Sequence, residues 1–389
     1  MPGQAILAPL GLFPLVSGVA LQSMTTSPRD PLGSPVAREV WVMNLRWIPM
    51  AFLGLGIVWL PAMGQEKAVD KPKEAPKEAP KDAPKEAPKD APKPAAPAVT
   101  GAKAKLAWTF TKDKSFFQTM TTTTKQELVV QGSKVNQEQK QTFVFAWTPV
   151  KQEGDTWTLK QKIEAVEMAI DIGGTKIEYN SKNPAGPGNP LSEFFKALVG
   201  AEFTVLLDTK ENKIIKVLDR EEFVKKLVNA NPAMQPLLNG ILDEKAFIDM
   251  SEPTFRVVPN KEVAQGDSWD LKNTLKLGPI GSYLSDYKYT YNGKVDALDK
   301  IGITATLKYE PGSSSSGALP FKIEKASLES TKATGEVLFD SAKGRPAKSS
   351  MTMEVKGTLT IDISGTKTPV ELTQSQTTTT ETSDTKPGA

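Results

Sequence analysis

Residues 154–180 read Gly-Asp-Thr-Trp-Thr-Leu-Lys-Gln-Lys-Ile-Glu-Ala-Val-Glu-Met-Ala-Ile-Asp-Ile-Gly-Gly-Thr-Lys-Ile-Glu-Tyr-Asn. Apolar and polar positions alternate with a period of two on both sides of Gly173-Gly174, the pattern of half-buried strands. The spacing predicts strands over Thr156 to Ile172 and Thr175 to Asn180. Paired glycines at the break tolerate the positive φ of a tight hairpin turn.

The same alternation extends outward. Leu106-Ala107-Trp108-Thr109-Phe110 puts Leu106, Trp108 and Phe110 on one strand face, and further runs cover Ser115 to Val130 and Gln141 to Pro149. The later half adds Ser268 to Leu277, Tyr283 to Tyr291, Ile301 to Tyr309, Phe321 to Ser330, Thr334 to Phe339, Ser349 to Ile363 and Lys367 to about Thr380. Alternating Thr, Gln and Lys residues read as the solvent-facing side of antiparallel strands. Several runs exceed the usual length of about five or six residues, which favours a large curved sheet.

A helical pattern lies between the halves. Leu191, Phe194, Phe195, Leu198 and Val199 form one apolar stripe, and Asp219 with Glu222 reads as a capping box before Phe223, Val224, Leu227 and Val228. Asn231-Pro232 starts a third segment carrying Met234, Leu237, Leu238 and Ile241. Short β runs at Glu202 to Leu207 and Ile214 to Leu218 form a hairpin between helices. The expected class is α+β: a large curved antiparallel sheet, a half-barrel or open barrel, with a helical insert at about 190–250 packed on it.

The chain has 389 residues and a formal net charge of +3, with acids and bases interspersed. No basic stripe that would neutralise phosphates is visible, so nucleic acid is not an expected partner. Cysteine and histidine are both absent. That removes disulfides, a lipid-modified cysteine, the usual metal ligands and every nucleophile arrangement built on histidine. No enzyme activity, metal or cofactor is expected.

The first hundred residues carry no fold signal. Met43-Asn44-Leu45-Arg46, an apolar run from Ile48 to Leu60 and Ala62-Met63-Gly64 make the three parts of a secretory signal, so 43–64 reads as a signal peptide and 1–42 as translated upstream sequence. An uncleaved membrane anchor is the alternative, although the run is shorter than the roughly 20 residues of a bilayer span. Both place the protein outside the cytoplasm, periplasmic, extracellular or anchored to the inner membrane. From Lys73 to Pro92, Lys-Glu-Ala-Pro or Lys-Asp-Ala-Pro repeats five times, making 65–101 a disordered linker, either a spacer or a solubilising leader. Residues 102–382 then form one β-rich domain, and 383–389 a disordered tail.

Few residues suggest chemistry. Gly154-Asp155-Thr156-Trp157 echoes Gly266-Asp267-Ser268-Trp269 at an offset of 112, and at that offset Lys176, Tyr179, Asn180 and Lys182 match Lys288, Tyr291, Asn292 and Lys294. Either a duplication or convergence on a common turn-strand pattern accounts for this. Both tryptophans are expected in the core, and Asp155 and Asp267 read as turn caps in place of paired catalytic carboxylates. Ser285-Asp286-Tyr287-Lys288 has the S-x-x-K spacing of penicillin-interacting serine enzymes but sits in a strand pattern. Gly312 to Gly317 is a loop tip without the lysine of a phosphate cradle. Asp219, Glu221 and Glu222 read as a helix N-terminus.

Leu106-Ala107-Trp108-Thr109-Phe110 and the Pro259 to Trp269 turn, Pro-x-Lys-x-Val-x-x-Gly-Asp-Ser-Trp, resemble a family of uncharacterised secreted bacterial proteins over roughly 102–382. The resemblance brings no catalytic residues. The long strands wrapped on helices are also similar in outline to the half-barrels of periplasmic lipoprotein carriers and lipid-binding lipoproteins, although no cysteine is available for lipidation. The second likeness is one of architecture only. The two apolar helical stripes must bury against something, and over a concave sheet the leading expectation is a binding protein enclosing a lipid or other apolar ligand beneath its helices, with Phe194, Phe195, Leu198, Met234 and Leu238 as the contacting residues. The rival expectation is a scaffold with a filled core that binds an envelope protein or cell-wall partner.

Overall fold

The computed structural model describes residues 103–184, 190–312, 322–363 and 365–388. The expectations for 1–42, 43–64 and 65–101, and most of the Gly312 to Gly317 loop, lie outside these residues. Two short strands form a ladder of their own, β1 (Ala104–Leu106) pairing antiparallel with β8 (Lys261–Val263).

A twelve-stranded antiparallel sheet carries the fold. Its first half comprises β2 (Phe116–Val130), β3 (Ser133–Glu153), β4 (Thr156–Ile172), β5 (Thr175–Asn180), β6 (Glu202–Asp208) and β7 (Lys213–Leu218). Its second half comprises β9 (Ser268–Lys276), β10 (Gly281–Val295), β11 (Leu298–Pro311), β12 (Lys322–Asp340), β13 (Arg345–Ile363) and β14 (Thr366–Ser383). The spatial order is β7-β6-β4-β3-β2-β14-β13-β12-β11-β10-β9, with β5 pairing the end of β4 that β6 leaves free. β14 pairs β2 from Val370 to Ser383, so the two halves are joined at the middle of the sheet.

Among the described residues four α-helices accompany it: α1 (Pro190–Leu198), α2 (Arg220–Ala230), α3 (Gln235–Ile241) and α4 (Glu244–Arg256). The last decides the architecture. α4 packs against both edge strands, β7 and β9. Among the described residues the sheet is not closed by its own hydrogen bonds; its two end strands lie against one helix, which also covers edges that would otherwise be open to pairing. Asp243 caps α4, its carboxylate accepting from the Ala246 N–H at 2.7 Å. Phe247 then packs edge-on against Phe203 of β6 and Phe223 of α2, with ring centres 4.9 and 5.3 Å away. Two turns on, Phe255 meets Trp147 of β3 at 5.3 Å and Trp108 at 5.2 Å. Burying such rings is the main energetic reason for the helix to lie there.

Several expectations need correction. Glutamine and threonine alternation does not mark the wet face: Gln118, Thr122, Thr124, Gln126, Gln137, Gln139 and Gln141 are buried, and the solvent side is taken by Lys125, Glu138 and Lys140. Asp219 does not cap α2; it adopts φ 62° with no capping bond, and its carboxylate instead accepts from the Thr204 hydroxyl at 2.8 Å. The opening strand stops at Leu106, and 107–110 leave the ladder to let Trp108 and Phe110 stack at 5.6 Å. The runs separated at Ser330 and Thr334 are one strand with a bulge. Ser383 ends β14, and beyond it Asp384 pairs with Lys343 and Arg345 and Lys386 with Glu164, so the terminal segment is tied to the sheet in place of being a free tail from 383.

Candidate functional site

Three neighbouring strands build an uncharged polar patch on the inner face of the sheet. Register places Gln141, Thr122 and Thr378 side by side across β3, β2 and β14; Gln139, Thr124 and Gln376 form the next row, and Gln137, Gln126 and Gln374 the third. All are buried except Gln374, which is half-buried. Apolar side chains surround the grid. Met168, Ile170 and Ile172 of β4 flank it on one side, and Met351, Met353 and Val355 of β13 on the other. Phe143, Phe145, Phe116 and Trp147 lie along the strands in one direction, and Leu128, Leu372, Val130 and Val370 in the other.

The grid is only partly self-satisfied. Thr122 and Thr378 hydroxyls meet at 3.1 Å, Gln139 Nε2 donates to Gln141 Oε1 at 3.2 Å, and Gln374 and Gln376 make longer contacts of 3.5 Å to Gln376 and Thr378. Thr124 Oγ1, Gln126 Nε2 and Gln137 Oε1 are buried with no hydrogen-bond partner among the described residues. Gln126 and Gln137 are direct cross-strand partners, so an open donor lies beside an open acceptor. An orphaned buried polar atom costs about 1–3 kcal/mol. Three of them lie together in this patch.

A second set of interior groups lies along β10. β10 points Tyr283, Tyr287, Tyr289 and Tyr291 inward, and all four are buried. Tyr289 stacks between Trp269 of β9 and Tyr287, with ring centres 5.8 and 6.1 Å apart and planes within 17°. Burial raises the Tyr287 hydroxyl to about 12, the Ser285 hydroxyl drawing it partly back. Burial also raises Tyr291 to about 12, helped by Asp299, whose carboxylate accepts from it at 2.8 Å. Asp299 is fully buried and also accepts from Lys294 and Ser341, so it is saturated and serves as a tie between the β10–β11 turn and the β12–β13 turn.

The residues singled out in the sequence fall elsewhere. Phe195 is buried against Tyr179 at 5.5 Å, while Phe194 and Leu198 on the same helix are half-buried. Leu238 of α3 is buried and Met234 half-buried. α2 packs against both α1 and α3 and separates the two stripes. Gly154 and Gly266 both take positive φ, at 60° and 93°, and Asp267 accepts from the Ala264 N–H at 2.8 Å as a turn cap. Trp157 is buried near Phe110, but Trp269 is only half-buried, because β9 is an edge strand and β4 a central one. Tyr179 pairs with Met168 whereas Tyr291 lies opposite Asp267, so the echoed segments have different registers and share only their turn. Ser285 points inward and Lys288 outward, so the S-x-x-K residues do not meet.

A model for a family of unknown function, DUF6263, matches residues 154–369. The chain belongs to this family. No curated protein matches its sequence. Among solved structures, this DUF6263 member is similar to lipovitellin, from a structure of its lipid–protein interactions, at 11% identity and a TM-score of 0.37, covering 69% of this chain and 25% of that one. It thus spans about a quarter of lipovitellin's length. Pseudomonas aeruginosa OccK7 gives 6% identity and a TM-score of 0.18 over 69% of this chain and 99% of that one. DynF from the dynemicin pathway of Micromonospora chersina gives 8% and 0.17 over 73% and 89%. At these scores the likenesses carry no argument about ligand or activity.

The signal for the inner grid was present in the sequence. Gln137, Gln139 and Gln141 keep the phase of Phe143, Phe145 and Trp147, while Glu138 and Lys140 take the other phase. Neutral polar residues that continue an apolar phase point inward, whatever their hydropathy.

Proposed function

We propose that this DUF6263 member is an exported, non-catalytic binding protein that holds an amphipathic ligand against the inner face of its sheet. The supporting observation is the grid of Gln and Thr side chains with Thr124 Oγ1, Gln126 Nε2 and Gln137 Oε1 unpartnered, enclosed by Met, Leu and aromatic residues. Such a surface matches a ligand whose apolar chain carries an uncharged group able to donate and accept hydrogen bonds, such as an amide, an ester-alcohol or a hydroxyl. A purely hydrocarbon ligand would leave those atoms unsatisfied. The lack of histidine and cysteine and the neutrality of the grid favour binding over catalysis. The Met43 to Gly64 signal pattern favours export.

A second reading, a scaffold with a filled core, is favoured by the way Phe203, Phe223 and Phe247 pack mutually and Phe255 wedges against Trp147. Native mass spectrometry and organic extraction of protein purified from its own host separate the two. A bound amphiphile that is lost in a Gln126→Leu, Gln137→Leu variant supports the binding reading. A ligand-free mass with no extractable lipid leaves the scaffold. Peptide mapping of the same sample checks export, with a mature chain expected to begin at Gln65.

A further inference from the structure

A different set of atoms marks a second site, at the seam between α4 and the edge strand β9. Tyr289 OH, Trp269 Nε1 and Glu252 Oε1 are each buried without a hydrogen-bond partner among the described residues. They belong to one neighbourhood. Glu252 Oε2 lies 3.6 Å from Arg256 Nη1, the Arg256 charge acts on the Tyr289 hydroxyl, and Tyr289 stacks on Trp269. α4 runs beside β9 here, held by Asn273 Nδ2 donating to the Asp249 carbonyl at 3.0 Å. Trp269 and Arg256 are partly exposed at the sheet edge, while Tyr289 behind them is fully buried.

The functional groups define what would fit. An indole N–H only donates, a carboxylate only accepts, and a phenol does both. The partly exposed ring of Trp269, backed by Tyr289, offers an apolar platform beside them. Charge then narrows the choice. Arg256 disfavours a cation next to Glu252, and Glu252 disfavours an anion next to Arg256, so the complementary ligand is neutral. A neutral ring with an apolar face and several hydroxyls meets every requirement: it stacks on the aromatic rings, donates to Glu252 Oε1, and accepts from Trp269 and Tyr289.

We infer that the α4–β9 seam is a binding site for a neutral, polyhydroxylated sugar ring, with Trp269, Tyr289 and Glu252 as its hydrogen-bonding residues. The site uses none of the atoms of the Gln/Thr grid, so it stands whether or not that surface holds an amphiphile.

The test uses the full-length mature chain, with maltose and cellobiose as neutral probes and glucosamine and glucose 6-phosphate as charged controls. Calorimetry should give saturable binding of a neutral disaccharide, and saturation-transfer NMR should place the sugar protons on the aromatic rings. Trp269→Phe keeps the platform but removes the N–H, and Glu252→Gln keeps the shape but removes the charge. Each should weaken binding by about tenfold or more, as expected for a lost buried or charge-assisted hydrogen bond. Gln126→Leu in the grid should leave sugar binding unchanged. The inference is overturned if no neutral disaccharide binds, if the charged sugars bind as tightly, or if folded Trp269→Phe and Glu252→Gln proteins keep wild-type affinity. Should either variant fail to fold, absence of saturation transfer in the wild-type protein overturns it equally.

Discussion

The indole Nε1 of Trp108 donates to the main-chain carbonyl of Phe255 at 2.8 Å, across 147 residues of sequence. The bond ties the segment after the first short strand to the last turn of the helix that closes the seam. Trp108 also packs edge-on to Phe339 of β12 at 6.5 Å, while Phe255 touches Trp147 of β3. One end of the curved sheet is thereby bridged from both of its halves.

Trp108→Phe should therefore lose the bond but keep most of the ring packing, costing about 1 kcal/mol. Trp108→Ala should cost about 3–5 kcal/mol, the range for emptying a large buried site. Urea melts of both variants check this. An alanine variant within about 0.5 kcal/mol of wild type would mean that the bridge does not hold the helix in place.

The inner grid leads to the opposite kind of expectation. Thr124→Val is nearly isosteric and removes a buried hydroxyl that has no partner, so it should leave stability unchanged or raise it by up to about 1–2 kcal/mol. The same substitution should reduce retention of the amphiphile. Denaturant melts beside organic extraction read both effects. A loss of more than about 1 kcal/mol would show that the hydroxyl is structural.

Much of the sheet was legible. The bounds Thr156 to Ile172 and Thr175 to Asn180 match β4 and β5, because alternation there is uninterrupted and glycines end it sharply. α4 was not legible, although it organises the molecule. Pro253 interrupts it, and Asp249 and Ser251 sit on its buried side, so no clean apolar stripe shows. Its one local marker was Asp243, three residues before the Ala246 N–H that it caps. The grid failed for another reason. Hydropathy assigns Gln and Thr to solvent, and only their phase relative to Phe143 and Trp147 reveals where they point.

The two echoed tryptophans should behave differently. Trp157 is buried on a central strand, its ring 5.7 Å from Phe110, and Trp157→Ala should cost about 3–5 kcal/mol. Trp269 is half-buried on an edge strand and its N–H has no partner to lose, so Trp269→Ala should cost roughly half as much. Parallel denaturant melts decide it. Equal losses would restore the structural equivalence that their registers deny.

All six tyrosines of the protein lie inside, and all six are held above the ordinary phenol value of 10. Burial is the first cause in every case. Asp299 adds to it at Tyr291, and Tyr287 adds to it at Tyr289. Because the folded values exceed the unfolded ones, the phenols' contribution to stability is intact below pH 10 and is lost as pH rises through the folded values, about 12 for Tyr287 and Tyr291. Phenolate absorbance should accordingly stay silent through pH 10 and then rise together with loss of the β-sheet circular dichroism signal, because the chain unfolds before buried hydroxyls ionise one by one. Tyr291→Phe should not abolish that coupling, since the other five remain buried. A gradual absorbance rise centred near pH 10 with the circular dichroism unchanged would place tyrosines in solvent and overturn the inward-facing assignment of β10.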